Sequence, residues 1–325
     1  MALKLNNGLF MPSVGVGCWM GLGVASADCY AMVKEALKIG YRHIDTVQIF
    51  SICNEESVGL AIRESGVPRE DLFITTKLDQ CDHGRVSDAL NESLAKLGVN
   101  YIDLYLIHWP QAVISGSSPS DAPCWFSYLS PGRVLQPSES PTIGDTWRDM
   151  EKLLDSGRVR SIGVSNFSEK TLTILLENAR IVPAVNQVEI HPLLPQHSLL
   201  AFCQARGIIL TAYSPVGKNK FSSDPDVVRI ADAHGVTGPQ VILSWGVQRG
   251  TTVIPKTSNH ERLRENITLI HLSVEEMLVL NRLHEKPGMH RSICGFHSSD
   301  LGGSCFGWTY EQLGWSMVEG GVMAH

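Results

Sequence analysis

A chain of 325 residues with 43% apolar residues and a mean hydropathy of +0.01 can bury a substantial core. No window reaches the roughly 18 uncharged apolar residues of a membrane-spanning helix. The net charge of −6 is spread without a basic stripe, so neither nucleic acid nor an anionic membrane is an expected partner, while one local anion site remains open. The eight cysteines (18, 29, 53, 81, 124, 203, 294 and 305) form no CxxC pair and lie too far apart for a zinc cluster. Reduced thiols and no metal are therefore expected. The N-terminus turns polar too soon for the apolar stretch of a secretion signal, which makes a cytosolic location the default expectation.

In chain order, the segments flanking Asn6-Asn7-Gly8 predict a hairpin within residues 1–12. Asn-Gly readily takes the positive φ values of a tight two-residue turn, and the hairpin could plug one end of a barrel. Extended apolar runs then alternate with amphipathic helical stretches, the rhythm of βα units around a parallel sheet. Eight strands are expected: Ser13–Cys18, His43–Val47, Phe73–Leu78, Ile102–Trp109, Ser161–Asn166, Val185–Ile190, Ile208–Ser214 and Thr252–Pro255. Between the third and fourth, Val86, Leu90, Leu94 and Leu97 form the apolar stripe of a helix lying on a sheet. Tyr30, Val33 and Leu37 do likewise in the first helix. Gly40, Gly98, Gly157 and Gly207 follow helical stretches, where positive φ lets the chain leave without a Cβ clash.

Eight such units in one domain over residues 1–325 make an α/β (β/α)8 barrel of the TIM type the leading architecture. An open doubly wound sheet is second, because no G-x-G-x-x-G follows the first strand. Two segments interrupt the rhythm. Residues 111–141, rich in Ser, Pro and Gly, read as a functional loop after the fourth strand. The tail 287–325 carries Trp308, Tyr310 and Trp315, which suggests that it packs onto something apolar.

In such a barrel the chemistry sits at the carboxyl ends of the strands. Asp45, Lys77 and His108 lie at or near the ends of the second, third and fourth. Singly, each has a plainer reading: Asp45 as a helix cap, Lys77 as a solvated charge, His108 as a hydrogen-bonded core histidine. Together, as Ile-Asp-Thr, Thr-Thr-Lys and Leu-Ile-His-Trp-Pro, they resemble the catalytic set of the aldo-keto reductases. The resemblance runs over nearly the whole chain. Ser165 and Asn166 in Gly-Val-Ser-Asn-Phe, with Gln187 in Asn-Gln-Val-Glu-Ile-His-Pro, match the residues that hold the nicotinamide carboxamide. Tyr213, followed by Ser214, matches the tyrosine that stacks on the nicotinamide ring.

Lys256, Thr257 and Ser258, followed by Arg262, Glu265 and Asn266, resemble the family's site for the adenosine 2′-phosphate and adenine. Two cations and a helix start favour a dianion there, which implies NADP(H), with NADPH preferred over NADH. The segment from Gly307 to Trp315 looks like the tails of fungal members. The family's set also contains a tyrosine, and here the pattern departs. Counting forward from Asp45, that position is Phe50; counting back from Asn54, it is Ile52. The segment is two residues longer than the usual pattern. A phenylalanine fills the space and has no proton to give to a developing alkoxide.

Three readings follow. The first is an NADPH-dependent reductase that protonates through His108, Lys77 or a water between them, acting on a specialised or pre-activated carbonyl, enone or iminium. The second is a non-redox isomerase, dehydratase or cyclase that uses Lys77 and His108. The third is a non-catalytic NADPH-binding protein. The first is preferred, because a nicotinamide and phosphate site has little use without hydride transfer. Cys53 reads as a buried, inert thiol rather than a nucleophile. The resemblance implies a monomer acting on a small carbonyl-type molecule.

Overall fold

The computed structural model describes residues 1–21, 26–48, 54–114, 133–297 and 304–324. Its centre is a set of eight parallel strands: β1 (Val16–Gly17), β2 (His43–Asp45), β3 (Phe73–Leu78), β4 (Leu104–Ile107), β5 (Ile162–Ser165), β6 (Val185–Glu189), β7 (Ile209–Tyr213) and β8 (Thr252–Val253). Each pairs with its neighbours in that order. The first and last strands meet. Gly15 N–H donates to Val253 O and Val253 N–H to Ser13 O, both at 2.9 Å, and Gly17 N–H donates to Pro255 O at 3.1 Å. The seam depends on small residues, since a Cβ on Gly17 would lie 2.8 Å from Ile254 O and one on Gly15 2.8 Å from the His43 ring. The fold is a (β/α)8 barrel.

Helices cover the outside, from α1 (Ser26–Ile39), α2 (Asn54–Ser65) and α3 (Val86–Leu97) through α4 (Ile143–Leu154), α5 (Glu169–Leu176) and α6 (His197–Gln204). After β7 and β8 come α7 (Pro225–His234), α8 (Gly238–Gln248), α9 (His260–Ile267) and α10 (Val274–Asn281). The stripe Val86, Leu90, Leu94 and Leu97 is buried, as its spacing predicts. Gly98 takes φ 65° and closes α3 by donating to Leu94 O and Ala95 O. Helix α4 starts in a Thr142–Asp145 capping box, an arrangement that contributes about 1 kcal/mol.

The hairpin forms between Ala2–Lys4 and Phe10–Pro12, with a turn that differs from the tight two-residue form. Leu5 N–H donates to Leu9 O, which leaves a three-residue loop with Gly8 at φ 92°. The asparagines are used elsewhere. Asn6 Nδ2 donates to Val182 O and Pro183 O, and Asn7 Nδ2 to Arg160 O and Ser161 Oγ, which docks the loop on the barrel. Leu5 and Met11 pack with Phe73, Leu104, Leu106, Ala184 and Val185, so the hairpin closes the amino-terminal end of the barrel. Burial of each such side chain stabilises by roughly 1.5–3 kcal/mol.

At the other end, the loop 111–141 and the tail hold each other. Val113–Ile114 pairs with Arg133–Val134, while residues 115–132 lie outside the described residues. Gln111 Nε2 donates to Cys305 O and Trp308 Nε1 to Leu135 O, both at 2.7 Å. The Trp109 and Phe306 rings meet edge to face, 4.7 Å apart. Trp308 and Tyr310 are buried and Trp315 packs against the same core, so the tail's aromatic residues do cover an apolar surface.

Cys18, Cys29, Cys203, Cys294 and Cys305 are free. Cys81 is disulfide-bonded, contrary to the expectation of reduced thiols throughout. Spacing along a chain reveals CxxC pairs, whereas a bond between distant cysteines depends on which of them the fold brings together. Among the described residues no cluster of ligating side chains could hold a metal, and no helix is long and apolar enough to cross a membrane.

Candidate active site

The carboxyl ends of the strands converge on a buried ion pair. Lys77 in β3 donates from Nζ to Asp45 Oδ1 at 2.6 Å and to Thr46 O at 2.9 Å. Gln187 in β6 donates from Nε2 to the other carboxylate oxygen, Asp45 Oδ2, also at 2.6 Å. Asp45 is 5% exposed and Lys77 4%. Charges so deeply buried persist only when paired and hydrogen-bonded, and both oxygens of Asp45 are occupied. An ammonium has three donors, and two of those on Lys77 are used. The third has no protein acceptor among the described residues.

His108 follows β4 directly, and its N–H donates to Leu78 O at the end of β3 at 3.1 Å. Burial, with the charge of Lys77 adding to it, holds its imidazole well below the usual histidine range. The ring is neutral at neutral pH. Its carbonyl accepts Asn166 Nδ2 at 2.9 Å, and Asn166 also donates to Ser165 Oγ at 3.1 Å. Ser165 Oγ donates to Gln187 O at 2.8 Å, and the Tyr213 hydroxyl to Asn166 Oδ1 at 2.8 Å. Asn166 holds φ 64° and Ser214 φ 49°, left-handed conformations that a fold retains only where its surroundings enforce them. Burial pushes the Tyr213 phenol well above its usual range, so it stays a neutral donor. The structure thus brings Asp45, Lys77, His108, Ser165, Asn166, Gln187, Tyr213 and Ser214 to one mouth. Phe50, Ile52 and Cys53 lie outside the described residues.

The second cluster stands beside the barrel seam. Lys256 and Ser258 are exposed, and they line a groove with Met20, Asp28, Met32 and Glu35. Thr257 is buried and accepts Arg262 Nε at 3.2 Å. Asn259 caps α9 by accepting Arg262 N–H at 2.9 Å. Glu265 and the buried Asn266 follow on the same helix. Among the described residues neither Lys256 nor Arg262 pairs with a carboxylate, so both cations remain available to an anion.

Two further acids, Glu189 and Asp79, stand at the strand ends. Glu189 lies two residues beyond Gln187, and the period of a strand places both on one face, a signal that could have identified it. Asp79 follows β3 in the same way. Burial pushes its carboxyl up to about 7, against hydrogen bonds from Cys81 and Gln80 N–H and with help from Asp82. A carboxyl raised on folding contributes stability that is complete below its unfolded pKa and is lost as pH rises through the folded value, here from about 4 to about 7. Asp79→Asn should therefore be more stable than the wild type at pH 8, by at most about 4 kcal/mol, and nearly equal to it at pH 4. Urea unfolding at the two pH values measures this, and a constant difference would refute it.

Comparison with known proteins agrees with the barrel fold. The aldo/keto reductase family profile matches residues 13–285. A Saccharomyces cerevisiae aldehyde reductase is 40% identical over 295 residues, covering 90% of this chain and 93% of its own. A glycerol 2-dehydrogenase (NADP(+)) from the same organism is 39% identical with the same coverage. The solved structure of the aldose reductase from Schistosoma japonicum matches with a TM-score of 0.76 at 38% identity, over 86% of this chain and 91% of that one. With a family profile that spans most of its length and relatives near 40% identity over nine-tenths of it, the chain belongs to the aldo/keto reductase family.

Proposed function

We propose that the protein is an NADPH-dependent reductase of small carbonyl compounds with an altered catalytic set, acting on a specialised or pre-activated carbonyl, enone or iminium. The observation that carries this reading is the buried Lys77–Asp45 pair, held from β6 by Gln187 and placed beside a neutral His108. A glycerol dehydrogenase named for NADP(+) and an aldehyde reductase among the relatives support the cofactor and the substrate class.

The residues present suit NADP(H), whose chemistry when bound is to supply a hydride. Lys256 and Arg262, free of carboxylates among the described residues, with Thr257 and Ser258 between them, would hold the 2′-phosphate. Glu265 and Asn266 would border the adenine, and Ser165, Asn166, Gln187, Tyr213 and Ser214 the nicotinamide. Gln187 is committed by its Nε2 to Asp45, which leaves its carbonyl oxygen for a carboxamide.

With Phe50 at the position of the phenol, the proton for the substrate oxygen has to come from another group. A neutral His108 can donate one hydrogen bond and orient the carbonyl. Lys77 is the charged acid in the mouth, and its third N–H is the proton source in this reading. This reading takes the chain to act as a monomer.

Stoichiometry tests the proposal. Product from glyceraldehyde or a quinone should appear one for one with loss of reduced-nicotinamide absorbance. Product without net NADPH oxidation would instead indicate isomerisation or dehydration, and NADPH binding without any product would indicate a non-catalytic role.

A further inference from the structure

One buried carboxylate ties the tail to the mouth of the barrel. Glu189 ends β6 and is 3% exposed. Its Oε1 accepts Ile293 N–H at 2.8 Å and lies 2.9 Å from His191 Nε2, while its Oε2 accepts the Ser292 hydroxyl at 2.5 Å. The bonds to Ser292 and Ile293 join residues 103 and 104 positions apart. Neighbouring backbone bonds extend the grip: Arg291 N–H donates to Leu193 O and Ser292 N–H to Gly321 O. Just beyond, Cys294 Sγ lies 3.8 Å from Ser214 Oγ. The strap 291–294 therefore runs from the rim at β6 to the residue following Tyr213. Below it, Glu189, Asn166 and Tyr213 share a narrow cavity with His297, Trp315 and Met317 of the tail.

We propose that Glu189 is a positioning residue for substrate recognition: by holding Ser292 and Ile293 it sets the tail wall of the pocket above Tyr213 and Ser214. The proposal rests on the reductase reading for its substrate, though not for the strap itself. A carboxylate suits the task because its two oxygens accept at once, and charge-assisted hydrogen bonds are about twice as strong as neutral ones. Although burial works to raise its pKa, His191, the Ile293 N–H and Ser292 outweigh it and hold the carboxyl below its ordinary value. The clip is closed at neutral pH. An alanine at 189 would leave two tail donors without acceptors and free the strap to move off Ser214.

The test uses the full chain and two variants, Glu189→Ala and the milder Ser292→Ala, which removes the bond to Glu189 and the one Ser292 Oγ accepts from Cys294 N–H without removing the buried charge. Maleimide labelling of Cys294, read by peptide mass spectrometry, reports strap opening whether or not the catalysed reaction is known. Loss of one charge-assisted bond predicts labelling about tenfold faster or more, together with a KM for aldehyde raised about tenfold, while kcat and NADPH affinity stay within about threefold. Should Glu189→Ala fail to fold, Ser292→Ala carries the same readouts. Unchanged Cys294 labelling in folded variants would overturn the strap. Faster labelling with an unaltered KM would overturn the positioning role and leave the reductase reading standing. Faster labelling in a protein that reduces no carbonyl would support the strap and reject the reductase reading.

Discussion

Lys77→Met should lower turnover by roughly 10²–10⁴-fold, the range lost when a positioned proton donor is removed. The variant should also be less stable. Asp45 would remain buried with, among the described residues, Gln187 Nε2 alone to compensate it, and removing one partner of a buried pair costs about 3–5 kcal/mol. The two losses separate in a double variant. Asp45→Asn with Lys77→Met removes both charges, so its stability should recover toward the wild type while its turnover does not. Unfolding midpoints and steady-state rates with NADPH and glyceraldehyde measure both quantities. A Lys77→Met protein that keeps the wild-type rate would place the active site elsewhere.

Phe50→Tyr should produce a comparable effect in the opposite direction. Counting forward from Asp45 puts residue 50 where the family carries its phenol. Restoring the hydroxyl should raise the rate with simple aldehydes toward the roughly 10²–10⁴-fold of acid catalysis. The native substrate is expected to gain little, since a pre-activated group needs no strong acid when hydride arrives. No gain on any aldehyde, in a variant that folds and binds NADPH, would show that the two extra residues before Asn54 have displaced this strand end.

The barrel was legible because each of its parts carries a local signal. Strand β3 was expected at Phe73–Leu78 and forms over those residues, and the stripe from Val86 to Leu97 is buried as its period requires. The regular parts of the other strands are shorter than the apolar runs. Residues such as Cys18, Val47 and Trp109 are buried although they lie beyond the paired strand segments, and hydropathy does not distinguish the two kinds of burial. The local motif at Asn6-Asn7-Gly8 favours a two-residue turn. Docking of both asparagines on the barrel wall, across more than 150 residues of sequence, selected the longer loop.

By itself the sequence determined the residue types at the mouth, their order along the strands and the family to which they belong. These follow from short-range patterns of two, three or four residues and from motifs that survive as words. The tertiary structure decided which of these residues share a bond. Gln187 reaches across 142 residues to complete the shell of Asp45, and Glu189 reaches across 103 to hold Ser292. Such pairings depend on barrel closure, which brings distant strand ends to one rim, and no local period encodes them. The electrostatic state of the site has the same origin: His108 is neutral because the closed barrel buries it near Lys77, a property of the surroundings rather than of the histidine.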